Sequence, residues 1–324
     1  MAQHKTKKQQ TWRESIVEFG SLLIIVFLIR TFGFGLYQVP TGSMETTMLV
    51  GERFFADKFS YNFRQPRRGE IIAFNDPNFK YSTNSLVKLF QRYVWGPSNW
   101  TKRVIGIPGD VIRGVIEDGK PVVYRNGEKI EESYINAYPL IHVYRDNIAD
   151  IKDKIESEIQ KISRGYRVNQ TEVDRYVAQR LDQESTWRSY DSSKAYDQQP
   201  FYDLSEDRIV KDKDGVYEQR IPGTPLLSKN GKTSPNETMN NWNESDVFYV
   251  KLGADEYWCM GDNRLGSYDC RFFGPIKQQE IHGRIIFRIW SVDSDESWWI
   301  VDLIKHPIDF WSRIRWSRWL QLVK

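Results

Sequence analysis

A chain of 324 residues with 40% hydrophobic and 27% charged side chains carries enough apolar material for a substantial core, which excludes a disordered polymer. Its 46 basic and 43 acidic residues leave a net charge of +3, and charge alone gives no case for a nucleic-acid partner. Two cysteines, Cys259 and Cys270, exclude a disulfide-stapled scaffold and a zinc-type Cys/His cluster; two buried small residues are the plain reading and a single bridge is the alternative.

Residues 1–15 form a basic tail with His4, Lys5, Lys7, Lys8 and Arg13. From Ile16 to about Tyr37 the chain is apolar enough to cross a bilayer, which takes about 20 residues; Glu18 and Arg30 sit near its ends, where a charged head can snorkel to the interface. The positive-inside rule then holds the N-terminus in the cytoplasm and puts the rest outside. A cleaved signal peptide, with Gly33 and Gly35 as small residues at the cut, competes with this reading; Arg30 interrupts the apolar core and argues for retention.

Short runs rich in β-branched and aromatic residues follow, punctuated by Gly, Pro, Asn and Asp: 53–57, 70–74, 102–107, 111–116 and 122–125, then 248–252, 257–260 and 281–290. They predict a mostly β, antiparallel domain made of residues 38–137 and 246–292. Between its halves, residues 138–245 turn polar and charged and read as a mixed, partly helical inserted cap. Ile148, Ile151, Ile155, Ile159 and Ile162 recur at helical spacing, and a second helix is expected around Thr171–Leu181. Residues 293–324 pack several tryptophans among arginines. Such a segment suits a membrane interface, and ordinary packing on the β domain is the alternative.

Three segments carry chemistry. In YQVPTGSMETTMLVGE (37–52), Ser43 follows Pro40 and Gly42, which can hold an exposed turn; a serine needs a base to become a nucleophile. In TKRVIGIPGDVI (101–112), Lys102 heads an apolar strand, where loss of water lowers a lysine pKa toward that of a general base. In GDNRLGSYDCRFFGP (261–275), turn-forming residues predict an ordered loop in which Asp262, Arg264, Asp269 and Arg271 pair with one another. Taken singly, each segment is as easily a loop hydroxyl, a strand lysine or a charged turn.

In this order after an apolar span, PTGSM, KRVIGIPGD and MGDNRLGSYDCRFFG resemble the type I signal peptidase (leader peptidase) family of bacteria. The resemblance implies a membrane-bound serine endopeptidase with the β fold of that family, acting on the signal peptides of exported preproteins at the outer face of the cytoplasmic membrane. It needs no cofactor or metal. It implies Ser43 as nucleophile and Lys102 as general base, and Thr41 with the Ser43 backbone N–H as the oxyanion site. Ser267 would orient the lysine, and Asp269 and Arg271 would support the loop. Tyr37, Val39, Pro40, Met48, Trp100 and Thr101 would line a groove that takes the substrate as an added strand. Thr46 and Cys270 depart from the family's commoner proline and serine. A related protease with one dedicated substrate and a catalytically silent binding domain are the rival readings.

Overall fold

The computed structural model describes residues 12–118, 120–136, 138, 140–144, 148–162, 169–183, 185–189, 191, 194, 246–294 and 299–323. His4, Lys5, Lys7 and Lys8 of the basic tail lie outside them, as does the part of the insertion from 195 to 245.

Helix α1, Trp12–Leu28, continues through one wider turn, Ile29–Gly33, to give a 22-residue helical segment. At 1.5 Å per residue it is about 33 Å long, enough for a hydrocarbon core of about 30 Å. None of its side chains is buried, although past Glu18 it is apolar all round, so it requires apolar surroundings that the described residues do not supply. The span expected from the sequence runs to Tyr37, but the helix ends at Gly33. Its last residues instead form strand β1, Phe34–Gln38, because the backbone there pairs from Phe34↔Asp57 to Gln38↔Arg53 with β2, Arg53–Asp57.

The remaining strands are β3 Ile71–Asn75, β4 Asn99–Gly106, β5 Val111–Glu117, β6 Lys120–Arg125, β7 Glu128–Lys129, β8 Leu140–Tyr144, β9 Ser185–Ser189, β10 Phe248–Lys251, β11 Glu256–Met260, β12 Ile276–Lys277, β13 Ile281–Trp290 and β14 Gln321–Leu322. Antiparallel pairing builds a large sheet in the order β1-β2-β13-β3-β4-β11-β12, with β14 on β13, and a second sheet in the order β10-β5-β6-β7. The mostly β, antiparallel fold read from the sequence is what the chain adopts. Asn126 and Gly127, both at positive φ, close the β6–β7 hairpin, the conformation an Asn-Gly turn favours.

The large sheet is buried on both faces, and β3 shows how. Ile72 and Phe74 join a cluster with Val104, Ile105, Ile112, Tyr257 and Met260 between the two sheets. Alternate residues Ile71 and Ala73 join Met44, Met48, Phe54 and Ile285 on the opposite face. The segment that contains Ser43 is thus seated on the core rather than hanging from it.

Within the insertion, helices α3 (Ile148–Ile162) and α4 (Gln170–Gln183) lie where the apolar spacing predicts them, and Ile151 and Ile155 bury with Tyr144 against Ile159 and Val177. The antiparallel β8–β9 pair that brackets these helices was not expected. A further helix between β3 and β4, Ser85–Tyr93, was also not expected.

The C-terminal segment packs on the end of β13. Phe310 and Ile314 bury with Val292, and Trp290, Trp299 and Trp319 close over them. The arginines expected to meet headgroups are engaged inward, Arg313 with Asp302 (2.7 Å), Arg315 with Asp293 (2.9 Å) and Arg318 with Glu52 (2.6 Å).

Candidate active site

After β1 the chain forms a tight loop, closed by Val39 N–H donating to Glu52 O (3.0 Å) and Gly51 N–H to Val39 O (3.0 Å). Thr41 is extended and exposed, with no capping bond from its side chain, and precedes the single 3₁₀ turn Gly42–Met44. Met44, Met48 and Leu49 are buried beneath the turn and hold it to the core. At its base the buried Glu52 carboxylate accepts from Leu49 N–H and Ser291 Oγ (both 2.8 Å) and pairs with Arg288 (3.0 Å) as well as Arg318. Both guanidiniums also donate to Thr47 O, so the loop's backbone is tied from below.

Lys102 comes from β4, opposite Ile72 of β3, and its Nζ lies 2.8 Å from Ser43 Oγ. The two residues are 59 positions apart in the chain. Lys102 is only 4% exposed, and burial lowers its pKa from 10.5 to about 8. Asp269 pulls it up and Arg271 pushes it back down, so loss of water dominates.

The loop after β11 closes over this pair. Asn263 donates through its backbone N–H to Ser43 O (3.1 Å) and through Nδ2 to Gly42 O (3.0 Å). Gly261 is the point of closest approach: a Cβ there would lie 2.2 Å from Ser267 Oγ and 2.5 Å from Ser43 O. Asp269 accepts from Gly261 N–H (2.9 Å) and pairs with Arg271 (2.9 Å), which holds its carboxyl below the usual range despite full burial. Arg271 reaches on to Asp246 (2.7 Å) and Arg264 O (2.7 Å).

The loop's four charges do not all pair among themselves as the sequence suggests. Asp269 and Arg271 do. Asp262 instead takes Arg103 of β4, at 2.8 and 2.6 Å, plus Thr47 Oγ1 at 2.6 Å, and Arg264 pairs with Glu132. Each partner sits on an element that folding brings alongside. Buried charges require such pairing, and the Arg103–Asp262 pair locks the strand bearing Lys102 to the loop that clamps Ser43.

Ser267 lies beside Gly261, but the expected bond to Lys102 is not formed, and among the described residues its buried Oγ has no hydrogen-bond partner. A Ser267→Ala variant is therefore expected to unfold no more easily than the wild type, because the deleted hydroxyl makes no bond. Chemical denaturation checks this, and a loss of about 1 kcal/mol or more would contradict it.

The expected groove residues fall into two sets. Tyr37, Val39 and Met48 belong to one apolar cluster, in which Val39 and Met48 are buried and so do not form an open wall; Pro40 is exposed. Trp100 and Thr101 are half-buried on β4, with the Trp100 ring edge-on to Tyr268 and Phe273. Strand β11 covers only 103–106 of β4. Among the described residues no strand pairs with that side of 99–102, and β1 is an edge strand.

Glu45 was not singled out from the sequence. It is fully buried two residues after Ser43 and accepts from Ser189 N–H of β9 (3.0 Å); burial raises its pKa while the nearby Arg188 pulls it down. Ser189 Oγ also accepts from Asn263 Nδ2 (3.0 Å), so the insertion reaches the back of the loop that holds Ser43. A glutamate between two buried methionines was the available signal. Cys259 and Cys270 are both buried and free, with Cys259 N–H donating to Cys270 Sγ at 3.1 Å.

Residues 12–290, which contain Ser43, Lys102 and the loop that closes over them, match the family described as signal peptidase, peptidase S26. The chain belongs to that family. Its activity is the family's, a type I signal peptidase hydrolase. This peptidase is 25% identical over 296 residues to the signal peptidase I of Buchnera aphidicola subsp. Acyrthosiphon pisum (strain APS), covering 91% of this chain and 80% of the relative. It is 34% identical over 131 residues to the probable signal peptidase I-2 of Synechocystis sp. (strain ATCC 27184 / PCC 6803 / Kazusa), covering 40% of this chain and 53% of the relative. A solved signal peptidase I from Enterococcus faecalis V583 is 15% identical, with a TM-score of 0.25, over 68% of this chain and 97% of that one. Family membership and the unburied apolar helix α1 together fit a membrane-anchored enzyme.

Proposed function

We propose that this peptidase removes N-terminal signal peptides from exported preproteins with Ser43 as nucleophile and Lys102 as general base. The observation that carries this reading is the 2.8 Å contact between Ser43 Oγ and the Nζ of a buried lysine.

With its pKa near 8, a substantial fraction of Lys102 is neutral at mildly alkaline pH, and the free amine accepts the Ser43 proton as Oγ attacks the scissile carbonyl. The tetrahedral oxyanion is met by the Ser43 backbone N–H and the Thr41 hydroxyl, which no capping bond occupies. Collapse of this intermediate gives the leaving amine its proton from the Lys102 ammonium and leaves an acyl-enzyme. Water, deprotonated by the same amine, then hydrolyses the ester and frees the mature protein's partner peptide. Asp269 with Arg271 keeps the surrounding loop rigid. The substrate adds as a strand along the unpaired side of 99–102 of β4, against Trp100 and Thr101, with Tyr37 and Pro40 of the segment before Ser43 open to it and the buried Val39 and Met48 supporting that segment from beneath. Helix α1 spans the cytoplasmic membrane with its N-terminus inside, so a preprotein whose signal helix sits in the bilayer presents its junction to catalytic groups that begin at Thr41, eight residues past the end of the span at Gly33.

The test is cleavage of a preprotein bearing an Ala-x-Ala junction by purified, detergent-solubilised protein, with the new N-terminus located by mass spectrometry. Cutting after the second alanine is expected. The rate is expected to climb about tenfold per pH unit below the Lys102 pKa and to level off above pH of about 8, because only the neutral amine accepts a proton. A rate flat from acidic to alkaline pH, or a cut elsewhere in the preprotein, would count against the reading.

A further inference from the structure

Between β3 and β4 lies helix α2, Ser85–Tyr93, which is inside out for a helix of a globular domain. Leu86, Val87, Leu89, Phe90, Tyr93 and Val94 occupy one continuous arc of its wheel, and Ser85, Lys88, Gln91 and Arg92 occupy the other. The polar side touches the domain, with Gln91 Oε1 accepting from Ser82 N–H (2.8 Å) and Arg92 donating to Gln279 (3.4 Å). The apolar side faces away from it. Leu86 is 78% exposed and Trp95, just past the end, 80%, and no residue of the helix is buried.

The helix is well specified locally. Asn84 Oδ1 caps it by accepting from Leu86 and Val87 N–H, and Gly96 ends it where any Cβ would strike Gln91 O. Its apolar face is therefore a built surface rather than a frayed loop.

Two observations identify what covers it. The first is continuity with the membrane span. Phe32 in the last turn of the span packs its ring against Tyr93 (6.5 Å), and Asn62 Nδ2 donates to Phe32 O (3.2 Å), which brings the exposed Phe59 and Phe63 to the same exit point. The second is charge. A cleft of about 610 Å³ between the end of the span, α2 and β13 is lined by Arg30, Lys58 and Arg92, with no carboxylate among the described residues of its lining. Lys58 Nζ donates to Arg30 O (2.9 Å), and burial together with the Arg30 charge lowers its pKa, so two cations are crowded where an anion would relieve them.

We propose that α2 lies in the plane of the membrane interface beside the span, with its apolar face among acyl chains and the Arg30, Lys58 and Arg92 cleft receiving the phosphates of anionic lipids. This inference rests on α1 being the membrane anchor. A second contact beyond a single span fixes the rotation of the catalytic domain about that span, and so the height and direction from which the groove meets the junction.

Depth-dependent quenching tests it in the full-length protein, whose own two cysteines are buried. Ile24→Cys, Leu89→Cys and Lys88→Cys variants, each carrying an environment-sensitive fluorophore, are reconstituted into phosphatidylcholine vesicles with and without phosphatidylglycerol. Lipids with a quencher on the acyl chain should quench the labels at 24 and 89 severalfold more than the label at 88, and phosphatidylglycerol should strengthen quenching at 89. A quenched label at 24 with an unquenched one at 89 overturns the proposal and leaves the anchor standing, assigning the α2 face to another protein. No quenching at 24 overturns the anchor and the proposal with it. Quenching at 89 that ignores phosphatidylglycerol overturns the headgroup site.

Discussion

Lys102→Met is expected to silence the enzyme and stabilise it. Turnover should fall by at least about a thousandfold, the scale on which a general base and its nucleophile act as a unit. The fold should gain stability because the wild-type lysine is buried at a cost. Its pKa of 10.5 in an unfolded chain falls to about 8 in the native one, which at neutral pH corresponds to about 3 kcal/mol spent against folding. Methionine has a similar length and no charge to desolvate. The sign fixes the pH window. Below pH of about 8 both states of the wild type are protonated and the whole penalty is present. Between about 8 and 10.5 the unfolded chain binds the proton and the native one does not, so wild-type stability rises and the advantage of the variant shrinks. Thermal melts in detergent at pH 7 and pH 10 check both statements. A variant that melts below the wild type at pH 7 would mean that the ammonium is paired and stabilising.

Arg271→Met is expected to cost about 3–5 kcal/mol, the cost of removing one partner from a buried charge pair. Its guanidinium is fully shielded and lies between Asp269 and Asp246, at 2.9 and 2.7 Å, while donating to Arg264 O. Without it two carboxylates remain buried with no cation between them. The Asp269 that receives Gly261 N–H would drift toward its protonated form, and the loop that holds Ser43 O would loosen. Denaturant titration measures the loss. Adding Asp246→Asn should restore part of it by removing one of the stranded charges. A single variant as stable as the wild type would show that the loop is held by its backbone bonds alone.

Much of the β framework was legible because its strands announce themselves locally. Arg53–Asp57 and Ile281–Trp290 begin and end where β-branched and aromatic residues give way to turn formers. The β9 strand, Ser-Thr-Trp-Arg-Ser, has no apolar alternation and is a strand because β8 lies beside it. Helix α2 is not legible as a core element because its apolar arc points away from the core. The helix stops four residues before Tyr37 for a related reason: Phe34–Tyr37 is uncharged whether helical or extended, and only pairing with β2 decides which.

The site was less legible. Neither Ser43 nor Lys102 stands out by composition or periodicity, and only their resemblance to a family's segments brought them together. The structure sets them 2.8 Å apart. The charges around them were visible, but their partners were not. Asp262 chooses Arg103 over its loop neighbours because β4 runs alongside, and Arg264 finds Glu132. Glu45 carries no sequence signal of its own beyond its place between Met44 and Met48, and its burial follows from theirs.

The most direct test of the central claim compares wild type, Ser43→Ala and Lys102→Ala on one preprotein, with folding of each variant verified by its melt. The account predicts that only the wild type releases the mature protein, cut after the second alanine of the junction. Full cleavage by folded Ser43→Ala or Lys102→Ala would contradict it and place the chemistry on other side chains.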